Sequence, residues 1–190
     1  MAAGDSITGI CNLALGLLGQ PGIVTLTDNS KAARYCALFW NNTRQRVIRE
    51  YLWNFAKADY QPVLAPVQPT FQWTYAYQLP ANTLRVWNMP EADTDPWEIK
   101  GGALYSNEDS PQVVVIVDVT DPTLFDAMFV KVLAMELALD LAVPLGAEVR
   151  EATQMIAQRL AGFKAQAVLV NALENSPTEW DEDVWLRNRY

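Results

Sequence analysis

The prolines in the middle of the chain constrain its fold most, because they divide it into parts that can and cannot be helical. Pro62, Pro66 and Pro69 follow one another at short spacing, and a proline inside a helix removes a backbone hydrogen bond and clashes with the preceding turn. Beyond them the aromatic residues alternate with other residues, as they do in a strand: Phe71, Trp73, Tyr75 and Tyr77. The middle third is therefore predicted to be β-structure between two helical parts.

Two helices are predicted before the prolines. Ser6 is a candidate N-cap of the first, which Gly19-Gln20-Pro21-Gly22 ends. The second covers about residues 30–51, with Asp28 or Ser30 as its cap. At about 100° per residue its apolar side chains share one arc, and four basic side chains, here called the basic stripe, share the adjacent arc: Lys31, Arg34, Arg46 and Arg49.

The basic stripe admits three interpretations. It can be a solvated face, it can pair with carboxylates of a neighbouring subunit, or it can contact phosphate. Residues 1–56 carry a net charge of +2, whereas the whole chain carries −8, so a surface of one copy can complement a surface of another copy or of an unlike partner. We take an inter-subunit contact as the hypothesis, with the solvated face as its alternative.

Short strands and two further helices are predicted after the prolines. The strand candidates are residues 84–87, 97–100, 103–106 and 112–119, separated by polar or glycine-containing turns. They predict a small antiparallel sheet with an exposed acidic loop at residues 91–95.

Helix resumes at Asp121-Pro122, a cap followed by a proline at the first helical position. Residues 124–143 are almost continuously apolar and predict a helix that is buried on most sides. Pro144-Leu145-Gly146 separates it from a fourth helix over about residues 147–174.

Together these elements predict an α+β fold. Its main part is a four-helix-type bundle of two N-terminal and two C-terminal helices, with a small antiparallel β-sheet insertion and an extended C-terminal tail. The predicted boundaries are 1–56 and 120–175 for the bundle, 57–119 for the β-rich insertion and 176–190 for the tail.

The predicted tail contains three aromatic residues among charged ones: Trp180, Trp185 and Tyr190. It has no helical pattern and is too short to bury these rings by itself. We therefore expect it to dock on another chain.

The composition excludes several classes of chemistry. The chain has no histidine, which removes the Ser-His-Asp arrangement and the commonest general base and metal ligand. Its two cysteines, Cys11 and Cys36, cannot form a four-ligand zinc site, and no glycine motif for phosphate or a dinucleotide occurs. We expect no catalytic residue, cofactor or metal. A pI near 4.5 also disfavours nucleic-acid binding by phosphate neutralisation.

The same composition predicts where the protein is made. Both cysteines lie on apolar helix faces, so they are expected to be buried and free, as in a reducing cytoplasm. No stretch approaches the roughly 18 consecutive apolar residues of a membrane span. The first residues lack the basic region of a signal peptide, so none is expected.

One enzyme class stays open on composition. A glycan hydrolase can use paired carboxylates without histidine, and aromatic rings such as Trp87 and Trp97 often bind sugars. The candidate carboxylates are Glu91, Asp93, Asp95 and Glu98. Acidic residues clustered in a proline-containing loop are also typical of a solvated loop, which we favour.

Seven short motifs occur in an order that resembles a known family. They are Asn12-Leu-Ala-Leu-Gly-Leu-Leu-Gly-Gln-Pro21, Ser30-Lys-Ala-Ala-Arg34, Arg49-Glu-Tyr-Leu-Trp-Asn-Phe-Ala56, Tyr75-Ala-Tyr-Gln-Leu-Pro80, Leu84-Arg-Val86, Trp97-Glu-Ile-Lys-Gly-Gly102 and Thr120-Asp-Pro-Thr-Leu-Phe-Asp126. Over about residues 6–165 the chain resembles the tail tubular protein A family of tailed bacteriophages, the head-to-tail adaptor or gatekeeper proteins. Residues 177–190 have no counterpart in this resemblance.

The resemblance implies a structural protein without catalytic residues. It implies a homo-oligomeric ring, typically of about twelve subunits, that binds the portal protein and offers a platform to the next tail component, a nozzle resembling tail tubular protein B. Double-stranded DNA passes through the lumen without sequence-specific binding. The family fold is a helical bundle with a β-rich insertion.

The implied location is the virion, at the head–tail interface, after synthesis in the host cytoplasm and without a membrane partner. The three tail aromatics then become candidate portal contacts. A head-completion or tail-assembly factor that does not stay in the virion is the related alternative.

Overall fold

The computed structural model describes residues 6–90, 96–146 and 150–173, which form four α-helices and seven β-strands. The helices are α1 (Ile7–Leu17), α2 (Lys31–Glu50), α3 (Ala127–Leu145) and α4 (Arg150–Leu173). The strands are β1 (Lys57–Tyr60), β2 (Val63–Leu64), β3 (Tyr75–Gln78), β4 (Thr83–Asn88), β5 (Trp97–Lys100), β6 (Ala103–Ser106) and β7 (Val113–Val117).

Side-chain caps determine where the first two helices begin. Ser6 Oγ accepts a hydrogen bond from the N–H of Gly9 at 3.0 Å, and Ser30 Oγ accepts one from the N–H of Ala33 at 3.1 Å. Each hydroxyl satisfies a backbone donor that the first helical turn leaves unpaired. Ser6 is therefore confirmed as a cap, and Ser30 rather than Asp28 caps α2.

The third helix begins one turn later than its sequence predicts. Asp121 caps only a short 3₁₀ turn, Pro122–Leu124, and Asp126 caps α3 by accepting from two backbone N–H groups. Phe125 lies between the two caps, and its ring packs edge-on against Phe129, with centroids 4.8 Å apart. This contact with the core accounts for the break between the 3₁₀ turn and the helix.

Helix α3 is the centre of the helical layer. It packs against α1, α2 and α4, and its buried side chains point in several directions, as the apolar run predicts. They include Phe129, Val132, Leu133, Met135, Leu137, Ala138 and Leu141. Each large apolar side chain removed from water contributes about 1.5–3 kcal/mol, so α3 accounts for much of the burial that stabilises the fold.

The strands form two antiparallel sheets. One sheet has the order β1-β7-β4 and the other the order β2-β3-β6-β5. Strand β7 pairs with β1 from Lys57↔Ile116 to Tyr60↔Val113. Strands β5 and β6 form a hairpin whose turn residues, Gly101 and Gly102, have φ of +58° and +80°. Glycine adopts this left-handed region without strain, as tight hairpin turns require.

The predicted fold class, a four-helix-type bundle with a small sheet insertion, is wrong. Four helices combine with two antiparallel sheets of seven strands among the described residues, which is a mixed α and β fold with substantial sheet. The three-stranded sheet shares a core with the helices, since Ile116 of β7 is fully buried in one cluster with Phe129 and Leu133. A second apolar cluster lies between the sheets and includes Tyr77, Met89, Leu104 and Val115.

Two strands account for most of this error. Strand β1 begins directly after the 3₁₀ turn Asn54–Ala56 and pairs with a strand about sixty residues later, so no local pattern reveals it. Strand β2 has two residues, both exposed. Strands β5 and β6 match their predicted ranges, whereas β4 is slightly longer and β7 shorter than predicted. The aromatic alternation yields only β3, because Phe71 lies in a loop and is 82% exposed.

Candidate interaction surfaces

A buried ion pair joins α2 to the three-stranded sheet. Arg44 Nη2 lies 2.8 and 2.9 Å from the two carboxylate oxygens of Asp118, which follows β7 directly. Gln45 Nε2 donates to the same carboxylate at 2.8 Å, and Arg44 Nη1 donates to Asn41 Oδ1 at 3.0 Å. The exposed fractions of the Arg44 and Asp118 side chains are 4% and 15%. This pair holds the helical layer on the sheet.

Arg46, a member of the basic stripe, is paired within its own chain. Its Nη1 lies 2.7 Å from Glu136 Oε2, and its Nη2 lies 2.8 Å from Asp140 Oδ2. Lys164 Nζ of α4 lies 2.6 Å from Glu136 Oε1 and 2.8 Å from Glu50 Oε1. The resulting network connects α2, α3 and α4. Because Arg46 is paired within this network, the hypothesis of an inter-subunit contact now concerns Lys31, Arg34 and Arg49.

The network keeps its members charged although Glu136 is buried. Burial favours the neutral acid, but hydrogen bonds from Lys164 and Arg46 outweigh it, so the pKa of Glu136 lies below its usual value of 4.5. Burial likewise opposes the charges on Arg46 and Lys164, yet the facing carboxylates raise the pKa of both above their usual values. Every charge in the network has a partner, so the network itself needs no ligand.

The remaining members of the basic stripe are exposed and form no ion pair with any residue that the structure describes. Arg34 Nη1 donates to Asn29 Oδ1 at 3.1 Å, and Lys31 Nζ lies 5.9 Å from the centroid of the Tyr35 ring. Leu38, which is 67% exposed, lies on the same side of α2. A single exposed leucine is common on protein surfaces, so it is the unpaired cations that keep this side of α2 a candidate contact surface.

The outer face of α4 carries no charge among the described side chains. Ile156, Leu160 and Ala167 are buried, so the face opposite to them, at about 100° per residue, points away from the core. We call it the α4 face; its exposed residues are Gln154, Met155, Gln158, Ala161, Gly162, Ala165, Leu169, Ala172 and Leu173. Leu169 is 60% exposed and Leu173 is 76% exposed. Small residues surround these leucines, so another helix can approach closely.

Two grooves flank β4. The arginine groove has a volume of about 460 Å³ and is lined by Arg49, Leu79, Pro80, Ala81, Thr83, Leu84, Arg85, Val86, Ile99 and Gly102. The aromatic groove has a volume of about 230 Å³ and is lined by Tyr51, Leu52, Trp53, Trp87, Ala167, Val168, Asn171 and Ala172. The guanidinium of Arg85 lies 4.7 Å from the centroid of the Trp87 ring. The two grooves are thus neighbours.

No family model matches the chain. No curated protein matches it significantly either.

The predicted hydrolase carboxylates do not form a described site. Glu91, Asp93 and Asp95 lie outside the described residues. Glu98 is partly exposed, and its Oε2 lies 2.5 Å from Lys100 Nζ on the same strand, as expected of a solvent-accessible ion pair. Within the described ranges no group of three or more cysteine, aspartate or glutamate residues is placed to hold a metal ion.

Of the remaining residues singled out in the sequence, some also lie outside the described ranges and others lie within them. Trp180, Trp185 and Tyr190 lie outside the described residues. Cys11 and Cys36 are fully buried and free, as predicted. A hydrogen bond with Cys36, together with burial, raises the pKa of the Cys11 thiol and so favours its neutral form. No helix in the described part of the chain has the length and apolar character to cross a membrane.

Arg85 and the arginine groove are not predicted from the sequence. One signal was available, since Arg85 stands between Leu84 and Val86 in a predicted strand. Alternate strand residues point to opposite faces, so a lone arginine in an apolar strand needs a partner or water on its own face. The contribution of Arg49 could not be seen, because it depends on how α2 lies against β4.

Proposed function

We propose that this protein is a structural head-to-tail adaptor of a tailed bacteriophage. It assembles as a ring below the portal protein, continues the DNA channel and provides the platform for the next tail component. The seven ordered motifs between Asn12 and Asp126 support the proposal through their resemblance to the tail tubular protein A family.

The observation that carries the proposal is the α4 face. A ring needs two different surfaces on each subunit, because one face of a copy meets an unlike face of the next copy. The α4 face is exposed and uncharged in a chain with a net charge of −8, and exposed apolar surface of this kind marks an association site. Lys31 and Arg34 of α2 supply a second surface of opposite character.

The net charge suits a wall along which DNA moves. A protein grips DNA by neutralising phosphates with lysine and arginine and releasing counterions. This chain has 14 basic and 22 acidic residues, so its overall field repels the polyanion. DNA therefore passes through the ring without being held.

In this proposed role the protein is not an enzyme, and it is located in the virion. Its partners are further copies of itself, the portal protein and a nozzle-like tail component. Trp180, Trp185 and Tyr190 are the proposed portal contacts, because tryptophan and tyrosine contribute most often to interface hot spots.

Co-sedimentation with the cognate portal ring, followed by native mass spectrometry, tests the proposal. Leu169→Asp places a charge in the α4 face, and Leu124→Asp is a matched control because both leucines are 60% exposed. Wild type and Leu124→Asp are expected to form a ring of defined stoichiometry on the portal. Leu169→Asp is expected to assemble at least about tenfold more weakly, since a buried charge at an interface costs several kcal/mol.

The possible outcomes test the adaptor function and the role of the α4 face separately. If the wild-type protein does not bind the portal at any salt concentration, the adaptor function is rejected. If all three proteins form the same ring, the function stands and the α4 face is not its interface. Circular dichroism and thermal unfolding establish that both variants are folded.

A further inference from the structure

Two arginines face one groove without a carboxylate partner among the described residues. Arg49 stands in the last turn of α2 and Arg85 in the middle of β4, and both line the arginine groove. Nε and Nη2 of Arg85 and Oγ1 of Thr83 are buried and have no hydrogen-bond partner. Buried polar atoms nearly always have partners, so these three atoms distinguish the groove from ordinary surface.

The electrostatics of the groove favour an anion. Burial, and then the nearby charge of Arg49, lowers the pKa of Arg85. The guanidinium nevertheless keeps its proton at neutral pH, so two like charges lie close together and no anion balances them. A carboxylate in the groove would balance both charges.

The walls of the groove show what kind of molecule carries the anion. Leu79, Pro80, Val86 and Ile99 line it with apolar surface, and the Trp87 ring lies against Arg85. Apolar walls around a pair of cations fit a peptide that has both carboxylates and apolar side chains. Duplex DNA fits less well, because its affinity requires many basic contacts along the phosphates.

One segment of this chain has that composition. Residues 174–190 contain three aromatic residues and five acidic ones: Glu174, Glu179, Asp181, Glu182 and Asp183. The segment lies outside the described residues and follows Leu173, where α4 ends. Asn171 and Ala172, in the last turn of α4, line the aromatic groove next to Trp87. The segment therefore starts beside the aromatic groove, and seventeen residues can span roughly 50 Å when extended.

We infer that the arginine groove binds the acidic aromatic segment 174–190 of the same chain, with a carboxylate against Arg49 and Arg85 and an aromatic ring in the aromatic groove. Attachment to α4 gives the segment a high effective concentration at the groove. The segment carries the three side chains proposed as portal contacts, so the portal must displace it from the groove. This docking is a property of the free subunit and does not depend on ring assembly.

Hydrogen exchange followed by mass spectrometry tests the inference on the full chain without portal. The double variant Arg49→Gln/Arg85→Gln removes both charges, and Lys31→Gln/Arg34→Gln is its matched control, because it removes two exposed charges of α2 outside the groove. In wild type and control, amides of residues 174–190 are expected to exchange at least about tenfold more slowly than in a synthetic peptide of the same sequence. In the double variant they are expected to approach the rate of the peptide.

Three outcomes would overturn the inference. One is a wild-type segment that exchanges at the rate of the free peptide, and another is protection that survives in the double variant. The third is protection that disappears on hundredfold dilution together with a dimer in native mass spectra, which assigns the segment to a neighbouring copy.

Two further measurements keep the test decisive. Retardation of duplex DNA by wild type and not by the double variant would assign the groove to phosphate and reject the peptide. If the double variant does not fold, the single change Arg49→Gln still tests the groove, because this side chain is exposed. Failure of the adaptor function would be seen in portal co-sedimentation, which none of these measurements includes.

Discussion

At the scale of single residues, burial decides which of the ion pairs stabilises the fold. Arg44 and Asp118 lie within the protein, with exposed side-chain fractions of 4% and 15%, whereas Glu98 and Lys100 are 41% and 48% exposed. In water an ion pair gains little, because the solvent screens it and two long side chains lose mobility. A buried charge that loses its partner is not solvated by water, so its loss of the partner is strongly destabilising.

Replacing Asp118 with Asn should therefore destabilise the protein strongly. We expect a loss of about 3–5 kcal/mol in the free energy of unfolding, because the charge of Arg44 stays buried without its carboxylate. Glu98→Gln, the matched change at the exposed pair, should cost about 1 kcal/mol or less. Urea unfolding at neutral pH measures both. Similar losses in the two variants would mean that the Arg44–Asp118 pair does not hold the helices on the sheet.

At the scale of elements, one carboxylate connects three helices. Glu136 of α3 receives Arg46 from α2 and Lys164 from α4, and its pKa is lowered because these cations stabilise the charged form more than burial opposes it. The charged form is thus favoured in the folded state relative to the unfolded chain. The contribution to stability is complete above about pH 4.5, and it is lost as the pH falls through the lowered folded-state pKa.

Glu136→Gln should consequently change how stability depends on pH. At pH 7 the variant should be less stable by about 1–3 kcal/mol, since Arg46 and Lys164 each keep one other carboxylate. The difference from wild type should shrink as the pH is lowered below about 4.5, because Glu136 of the unfolded wild-type chain then binds a proton, and it should vanish once the pH is below the lowered pKa of folded Glu136. Urea midpoints measured across this range provide the check. A difference that is constant with pH would show that Glu136 acts through packing alone.

The sequence predicts elements with local signals and misses those that depend on distant contacts. Ser6 and Ser30 act through donors three residues away, and α3 is visible as a run of apolar residues, so the helices could be placed. Strand β1 exists because of β7, and the arginine groove exists because α2 lies against β4. The pairing of Arg46 within its own chain is likewise not visible in the sequence, because its partners Glu136 and Asp140 lie about ninety residues away and carry no local signature.

At the scale of the whole molecule, the charge balance disfavours binding to DNA. A net charge of −8 makes the average potential around the subunit negative. Arg46 and Lys164 are already paired internally, so they add little to any positive surface. The cations without an ion pair in the described ranges are spread over separate elements, with Lys31 and Arg34 on α2, Lys131 on α3, Arg159 on α4, and Arg49 and Arg85 at the arginine groove, so they do not form one continuous track for a series of phosphates.

The free protein should therefore not retard duplex DNA at physiological salt, about 0.15 M. Any weak binding at low salt should vanish as salt is added, because it rests on few phosphate contacts. Electrophoretic mobility and fluorescence anisotropy with a random-sequence duplex measure this directly. Tight binding that persists at physiological salt would contradict a passive channel wall and point to a protein that grips its nucleic acid.

The central position of α3 also has a consequence for synthesis on the ribosome. Helix α1 ends about 110 residues before α3 and α2 ends about eighty residues before it, yet both pack against it. The nascent chain consequently displays Ile10, Leu15, Val47 and Ile48 without their partner until nearly three quarters of the protein has been made. We expect the emerging chain to need a chaperone during that interval, and its yield to depend on how fast translation reaches α3.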